Sequence, residues 1–270
     1  GFARRPEKIL ETADVVFIAL HGSYGEDGQV QKIIQRLGLP FTGSASLPSA
    51  IAFNKELTKN TLKPHGIKMP KHRRLNRYEL DDLDGLIEDI TLDLGRELFI
   101  KPNANGSSFG ARYAPTKDVL REAITELSKQ YEQLIIEEYI RGREASVGIL
   151  SNFRNEYNYA LPVIEIVPPR RDIFFTSENK YNGQTDEIVP GRFSYLEKGV
   201  LARNALQVHE LISCSNYSRS DFIVRDGEVY FLEINTLPGL TPESLYPKAS
   251  AAVGLDFKDL IAHLVENASR

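Results

Sequence analysis

The chain has 270 residues, 41% of them apolar, and a formal net charge of -4 from 33 basic and 37 acidic side chains. That length can bury a substantial core and supports two or three small domains, while the scattering of Lys and Arg gives no electrostatic footprint for nucleic acid. The longest apolar run, residues 15–20, falls far short of the roughly 20 residues a membrane-spanning helix needs, so no transmembrane segment is expected.

A lone cysteine, Cys214, cannot close an internal disulfide and suits a reducing cytoplasm; its expected role is that of a small buried hydrophobe. The chain opens Gly-Phe-Ala-Arg-Arg-Pro with no initiator Met and no apolar targeting segment.

In chain order, residues 15–20 form a β-branched apolar run that reads as a buried parallel strand. A helix should come next, because Val30, Ile33, Ile34 and Leu37 fall at i, i+3, i+4 and i+7, with Gly38 as its stop before Pro40. Asn54 is placed to cap a helix over residues 55–63, and Pro64 and Gly66 then break the chain. Between residues 75 and 134 come an acidic helix, a strand at 98–102, a turn of small residues, a second strand near 110–114 and a helix over 117–131, a compact α+β module.

Strands are expected at 135–140, 146–150 and 164–167. The stretch 168–194 is polar and aperiodic, the kind of long loop that serves as an active-site cover. Leu196, Val200, Leu201, Ala205, Val208, Leu211 and Ile212 mark an amphipathic helix, and Phe257, Leu260, Ile261, Leu264 and Val265 mark the last one. Between them, residues 221–235 read as a hairpin turning at Asp226-Gly227.

Chemistry concentrates in three segments. Glu233 and Asn235 are two apart on a strand and so share a face; carboxylate and amide oxygens on an otherwise apolar strand point to a hard cation such as Mg2+. For Asp221 to join them, positions 221 and 233 must pair, which requires a three-residue turn with a bulge at 226–228, since a two-residue turn sends Asp221 to the wrong face. Pattern alone equally admits a surface strand facing water.

The segment Lys-Pro-Asn-Ala-Asn-Gly-Ser-Ser-Phe-Gly at 101–110 places a Lys before a turn whose backbone N–H groups can cradle phosphate. It is no Walker A loop, and a plain hairpin turn is the commoner explanation. His-Gly-Ser-Tyr-Gly-Glu-Asp-Gly at 21–28 lies at the carboxyl edge of a strand, where α/β sheets bind ligands; a tight glycine loop is the bland alternative. By themselves Glu137, Glu138 and Glu144 read as solvated charges, and Lys180-Tyr181 carries no signal.

Together these segments resemble the D-alanine:D-alanine ligase family over essentially the whole chain. The match runs through HGSYGEDG at 21–28, TGS at 42–44, KPNANGSSFG at 101–110, EEYIRGREASV at 137–147, KY at 180–181, RSDF at 219–222 and EINTLPGLTPESLYP at 233–247. The resemblance implies an ATP-grasp fold of mixed α/β and α+β character: a partial Rossmann-like N-terminal domain over 1–54, a central domain over 55–136 and a C-terminal domain over 137–270 with a lid at 168–194.

It further implies ATP-dependent joining of two D-alanines through D-alanyl phosphate, for peptidoglycan synthesis, in a cytoplasmic homodimer binding neither nucleic acid nor membrane. Lys55 and Lys101 would contact the ATP phosphates, Glu137, Glu138, Tyr139 and Ile140 would form the adenine hinge, Glu144 would hold the ribose, and Lys180 would close over the γ-phosphate. Asp221, Glu233 and Asn235 would bind two Mg2+ ions, with Mn2+ as a substitute. Ser107 and Tyr181 would position the first D-alanine beside His21 and Glu26. Arg219 and the Gly239 N–H would stabilise the oxyanion, and Ser244 with Leu245 would hold the second carboxylate.

One segment departs from the family: the first strand and glycine-rich loop, whose acidic residue holds the first substrate's amino group, find no match before residue 15. An exposed sheet edge is expected there. Related ligases that accept D-lactate or D-serine, or a non-catalytic nucleotide-binding homologue, are the alternatives; Tyr181 favours D-alanine as acceptor, and an oxyanion arginine has no use in a protein that only binds ATP. A purely structural role leaves Asp221, Glu233 and Asn235 as unexplained polar cost on a buried face.

Overall fold

Two mixed layers built on antiparallel sheets organise the chain, which is described here by a computed structural model at residues 10, 12–106, 110–169 and 185–269. The first sheet has four strands in the order β1 (His72–Asn76), β4 (Gln133–Glu138), β2 (Leu98–Pro102), β3 (Arg112–Ala114). Helices α4 (Leu83–Leu94) and α5 (Lys117–Leu127) cover it, burying Ile87, Ile90, Leu120 and Ile124 against Leu98, Ile100, Leu134 and Ile136. Asp82 and Thr116 cap these helices by accepting from Gly85 N and Val119 N, which satisfies donors left free at a helix start.

The second sheet has the order β10 (Glu228–Asn235), β9 (Tyr217–Arg225), β5 (Arg143–Phe153), β7 (Ile164–Val167), β8 (Asp186–Ile188), with β6 (Glu156–Ala160) also paired to β5. Helix α6 (Tyr195–Leu211) packs Leu201, Ala205 and Val208 on Val147, Phe222 and Phe231. It begins at a capping box in which Glu197 N donates to Ser194 Oγ and Ser194 N donates to Glu197 Oε2. Helices α7 (Leu245–Ala251) and α8 (Phe257–Ala268) close the other side over Leu150, Ile164 and Tyr217.

The N-terminal part departs from the expected strand. Residue 16 makes a single parallel bridge to Phe41, because the next donor, Ile18 N, turns to the Thr42 hydroxyl at 3.1 Å instead of a backbone carbonyl. The parallel direction survives and the ladder does not. Leu20 is 45% exposed, and Val16, Phe17 and Ala19 line a shallow apolar hollow on this flank. Helix α1 (Gln29–Arg36) forms as expected, ending before Gly38 at φ 68; α2 (Ser46–Phe53) lies where the sequence predicts no element.

Helix α3 (Lys55–Leu62) starts where Asn54 Oδ1 accepts from Leu57 N at 3.0 Å. Its Leu62, with Ile67, is buried in the core of the six-stranded sheet, so a central unit beginning at residue 55 cuts across packing. A boundary after residue 136 also falls inside β4, whose Glu137 still pairs with His72 of β1. Part of the expected 168–194 cover is the short strand β8, paired to β7; residues 170–184 of it lie outside the described residues.

Against the sheet, His209 of α6 is 1% exposed, its Nδ1 2.7 Å from Ser218 Oγ, and burial pushes its imidazole down to about 4. The unfolded chain, at about 6.5, then binds more protons between those values, so stability is full above pH 6.5 and falls as pH drops toward 4, by up to ~3 kcal/mol. Urea titrations of wild type and His209→Asn from pH 7 to 4 should show a shallower slope in the variant; equal slopes would contradict the assignment.

Candidate active site

The two sheets face each other across a cleft of about 310 Å3, within the usual size range of small-molecule sites. His21, Glu26, Lys55, Lys101, Glu137, Glu138, Tyr139, Ile140, Glu144, Arg219, Asp221, Glu233, Asn235, Gly239, Ser244 and Leu245 all line it. Ser107, Lys180 and Tyr181 lie outside the described residues.

The joint between the layers is the segment after β2. Lys55 N donates to Asn103 O at 3.0 Å, Glu56 N to Asn103 Oδ1 at 3.0 Å, and Asn103 Nδ2 to Asn54 Oδ1 at 3.1 Å. The start of α3 is thus tied to the phosphate-cradle candidate. At Gly106 a Cβ would come within 2.9 Å of Glu26 Oε2, so a side chain there would push that carboxylate aside. Glu26 is itself fixed by Gly22 N at 2.6 Å and by Asn235 Nδ2 at 3.1 Å, so it links the 21–28 loop to the end of β10. Its carboxylate, 3.8 Å from His21 Nδ1, raises the imidazole pKa, against the effect of burial.

A buried charge cluster forms the cleft wall. Lys101 Nζ lies 2.9 Å from Glu137 Oε2 and Lys59 Nζ lies 2.8 Å from Glu137 Oε1, the latter a contact of charge and distance rather than of hydrogen-bond angle. Lys55 Nζ donates to Asn105 O at 2.8 Å and stands 3.5 Å from Glu233 Oε2. Burial opposes ionisation of Glu137, yet Lys101 and Lys59 hold its carboxyl down to about 2. Burial lowers Lys55 and Lys59, whereas at Lys101 the attraction of Glu137 and Glu233 outweighs burial and raises it. Removing one member of such a cluster leaves an uncompensated buried charge, at about 3–5 kcal/mol.

One sequence expectation is corrected here: Glu137 is no solvated charge, being 2% exposed, with its carboxylate between Lys101 and Lys59. In the rest of the hinge, Glu138 N and Tyr139 N donate to Lys71 O and Glu97 O, and the Glu138 carboxylate accepts from Lys71 N. Ile140 joins Ile223 and Leu232 in an apolar patch at this end of the cleft.

The opposite wall is the β9–β10 hairpin. Glu233 pairs with Asp221 and Asn235 with Arg219, so all four side chains share the cleft face. The expected pairing is present by a different route. The turn has only two residues, Asp226 at φ 52 and Gly227 at φ 80, and Arg225 pairs with Glu228; the extra residue sits at Leu232, where the register shifts between Phe231 and Glu233. A bulge in mid-strand re-aims the residues beyond it. It also turns Leu232 into the cleft.

Asp221 accepts from Arg219 Nη2 at 2.8 Å and from Ser146 Oγ at 2.6 Å. Asn235 Oδ1 accepts from Leu237 N at 2.7 Å, which folds the chain toward Gly239. Ser244 Oγ lies beside Gly239 and 2.9 Å from Thr241 Oγ1. Sequence reasoning missed Lys59 and Ser146. The spacing of Lys55 and Lys59, four residues apart on one helix, puts both on one face and was a usable signal; nothing marked Ser146.

A family profile described as D-ala D-ala ligase C-terminus matches residues 61–266, and one described as D-ala D-ala ligase N-terminus matches residues 2–44. The D-alanine--D-alanine ligase of Syntrophobacter fumaroxidans is 38% identical over 258 residues, covering 95% of this chain and 80% of that protein. That of Flavobacterium johnsoniae is 38% identical over 260 residues, covering 96% and 77%. Among solved structures, the ligase of Bacillus anthracis complexed with ATP superposes with a TM-score of 0.80 at 31% identity, over 97% of this chain and 81% of that one. A D-Ala:D-Ser ligase from Enterococcus faecalis gives 0.82 at 29% identity, over 95% and 73%. The fold is therefore the ATP-grasp fold of these enzymes, and with profiles and relatives spanning nearly its whole length, the chain belongs to the D-alanine–D-alanine ligase family.

Proposed function

We propose that the chain joins two D-alanines, converting ATP to ADP and phosphate, through a D-alanyl phosphate. The observation that carries this reading is the meeting of the Lys55–Lys101 wall with the Arg219–Asp221–Glu233–Asn235 face across one cleft. A carboxylate is a poor electrophile until phosphorylated, and phosphoryl transfer depends on alignment and charge neutralisation.

In this reading Lys55 and Lys101 bind the phosphates of ATP, and the apolar patch of Ile140, Ile223 and Leu232 receives the adenine, with Glu138 and Tyr139 shaping the hinge backbone and Glu144 reaching the ribose. His21 and Glu26 lie where the first D-alanine would be held. Arg219 and the Gly239 N–H stabilise the oxyanion formed when the second amine attacks, and Ser244 with Leu245 orients the second carboxylate. Ser107, Tyr181 and Lys180 are assigned by motif alone.

Asp221, Glu233 and Asn235 form an all-oxygen donor set that fits Mg2+, which characteristically takes one or two carboxylates and completes its shell with water and substrate phosphate. Among the described residues no group of three His, Cys, Asp or Glu side chains is assembled for a metal, in keeping with a site finished by its nucleotide. Two such ions, or Mn2+ in their place, would neutralise phosphate charge; Arg219 and Lys55 now do so for the carboxylates. No described helix is long and apolar enough to cross a membrane, and a homodimer in the cytoplasm making peptidoglycan precursor is the setting we propose.

Phosphate release from ATP with Mg2+ should depend on D-alanine and exceed that with D-serine or D-lactate as acceptor; release indifferent to D-alanine contradicts the proposal. Arg219→Met should lower kcat by about 10²–10³ while KM for ATP changes only a few-fold. A variant that instead loses ATP affinity and keeps kcat would place Arg219 in nucleotide binding.

A further inference from the structure

Among the described residues, Lys59 is a cation with no exposure at all: its side chain is 0% exposed and does not reach the cleft that Lys55, Lys101 and Glu137 line. Burying an ammonium is expensive, and apolar side chains replacing a whole buried ion pair are often at least as good for the fold, so the pair is not explained by stability alone. Its ion-pair contact among those residues is Glu137, whose other oxygen holds Lys101. We infer that Lys59 is a positioning residue: it anchors one oxygen of the Glu137 carboxylate so that the other fixes the Lys101 ammonium at the cleft wall.

The charges support the same arrangement. Lys55, Lys59 and Lys101 face Glu137 and Glu233, which leaves one positive charge in excess, facing the cleft through Lys101. With Lys59 gone, Glu137 is free to take Lys101 with both oxygens, and the wall loses its excess charge for a polyanion. Lys59 is carried to this position by α3, one turn beyond Lys55, whose own start is tied to Asn103. One helix thus delivers a lysine to the cleft and another to the carboxylate behind it. The inference rests on reading the cleft as an ATP site.

The test is the affinity for ATP and for adenosine, by calorimetry, of the whole chain as wild type, Lys59→Met, Glu137→Gln and the double variant, with melting temperatures alongside. Lys59→Met should weaken ATP binding about tenfold, in the range of couplings between contacting charges, and leave adenosine affinity and KM for D-alanine within about twofold. In the Glu137→Gln background, adding Lys59→Met should cost ATP affinity far less than tenfold, because Lys59 reaches Lys101 chiefly through that carboxylate. Should Lys59→Met fail to fold, Lys59→Gln, which removes the charge and keeps a polar side chain, takes its place in the same cycle.

An equal loss in both backgrounds, an unchanged ATP affinity, or a parallel loss for adenosine overturns the inference, as does a wild type that binds ATP no better than adenosine. Wild type that binds ATP but releases no phosphate with D-alanine refutes the ligase reading alone, and the four affinities still report on Lys59.

Discussion

A carboxylate buried between two lysines holds the cleft together. Glu137 stands on β4 in the four-stranded layer, Lys101 diagonally across from it on the antiparallel neighbour β2, and Lys59 on a helix whose apolar side belongs to the core of the other sheet. One ionic contact therefore ties the two layers at the point where their facing edges must stay a fixed distance apart. In a low-dielectric interior such a contact is either complete or costly, which restricts the ways the layers can shift without losing the cluster.

The second constraint is the register of one hairpin. Without the bulge at Leu232, Glu233 and Asn235 would turn into the core beneath α6, and Leu232 would take the place opposite Asp221. A single extra residue moves two oxygen-bearing side chains into the cleft and adds an apolar side chain to it. The acidic ligands and the proposed oxyanion arginine then alternate along β9 as neighbours, Arg219 and Asp221, so the site's carboxylates are balanced by the same cations that would act on substrate.

Much of this was legible in the sequence. Strand Leu98–Pro102 and strand Ile164–Val167 have the lengths their apolar content indicates, and helices with a polar cap, such as the one after Asn54, begin where the cap says. The motif segments at 21–28, 101–110, 137–147, 219–222 and 233–247 converge on one cleft, whereas 42–44 does not line it and 180–181 lie outside the described residues. The features that escaped did so for physical reasons. Strand His72–Asn76 is an edge strand whose basic residues suit an exposed margin and carry little alternation. Residues 15–20 have the composition of a strand, but a threonine hydroxyl takes the donor the ladder needs. The pairing of Asp221 with Glu233 was inferable from chemistry, while the place of the bulge depended on a turn, Asp226-Gly227, that already accommodates two positive φ angles. Glu137 looked solvated because its partners lie 36 and 78 residues away in sequence, at Lys101 and Lys59.

The central claim is that this cleft activates a carboxylate by phosphorylating it. D-Alanine labelled with 18O in its carboxyl group, incubated with the protein, ATP and Mg2+, tests that directly by mass spectrometry of the released phosphate. An acyl phosphate requires one carboxyl oxygen to leave with the phosphate when the second amine attacks, so phosphate carrying a single 18O is the predicted result. Phosphate free of label would mean that ATP is cleaved without forming that bond, and the account of the cleft as a carboxylate-activating site would be wrong.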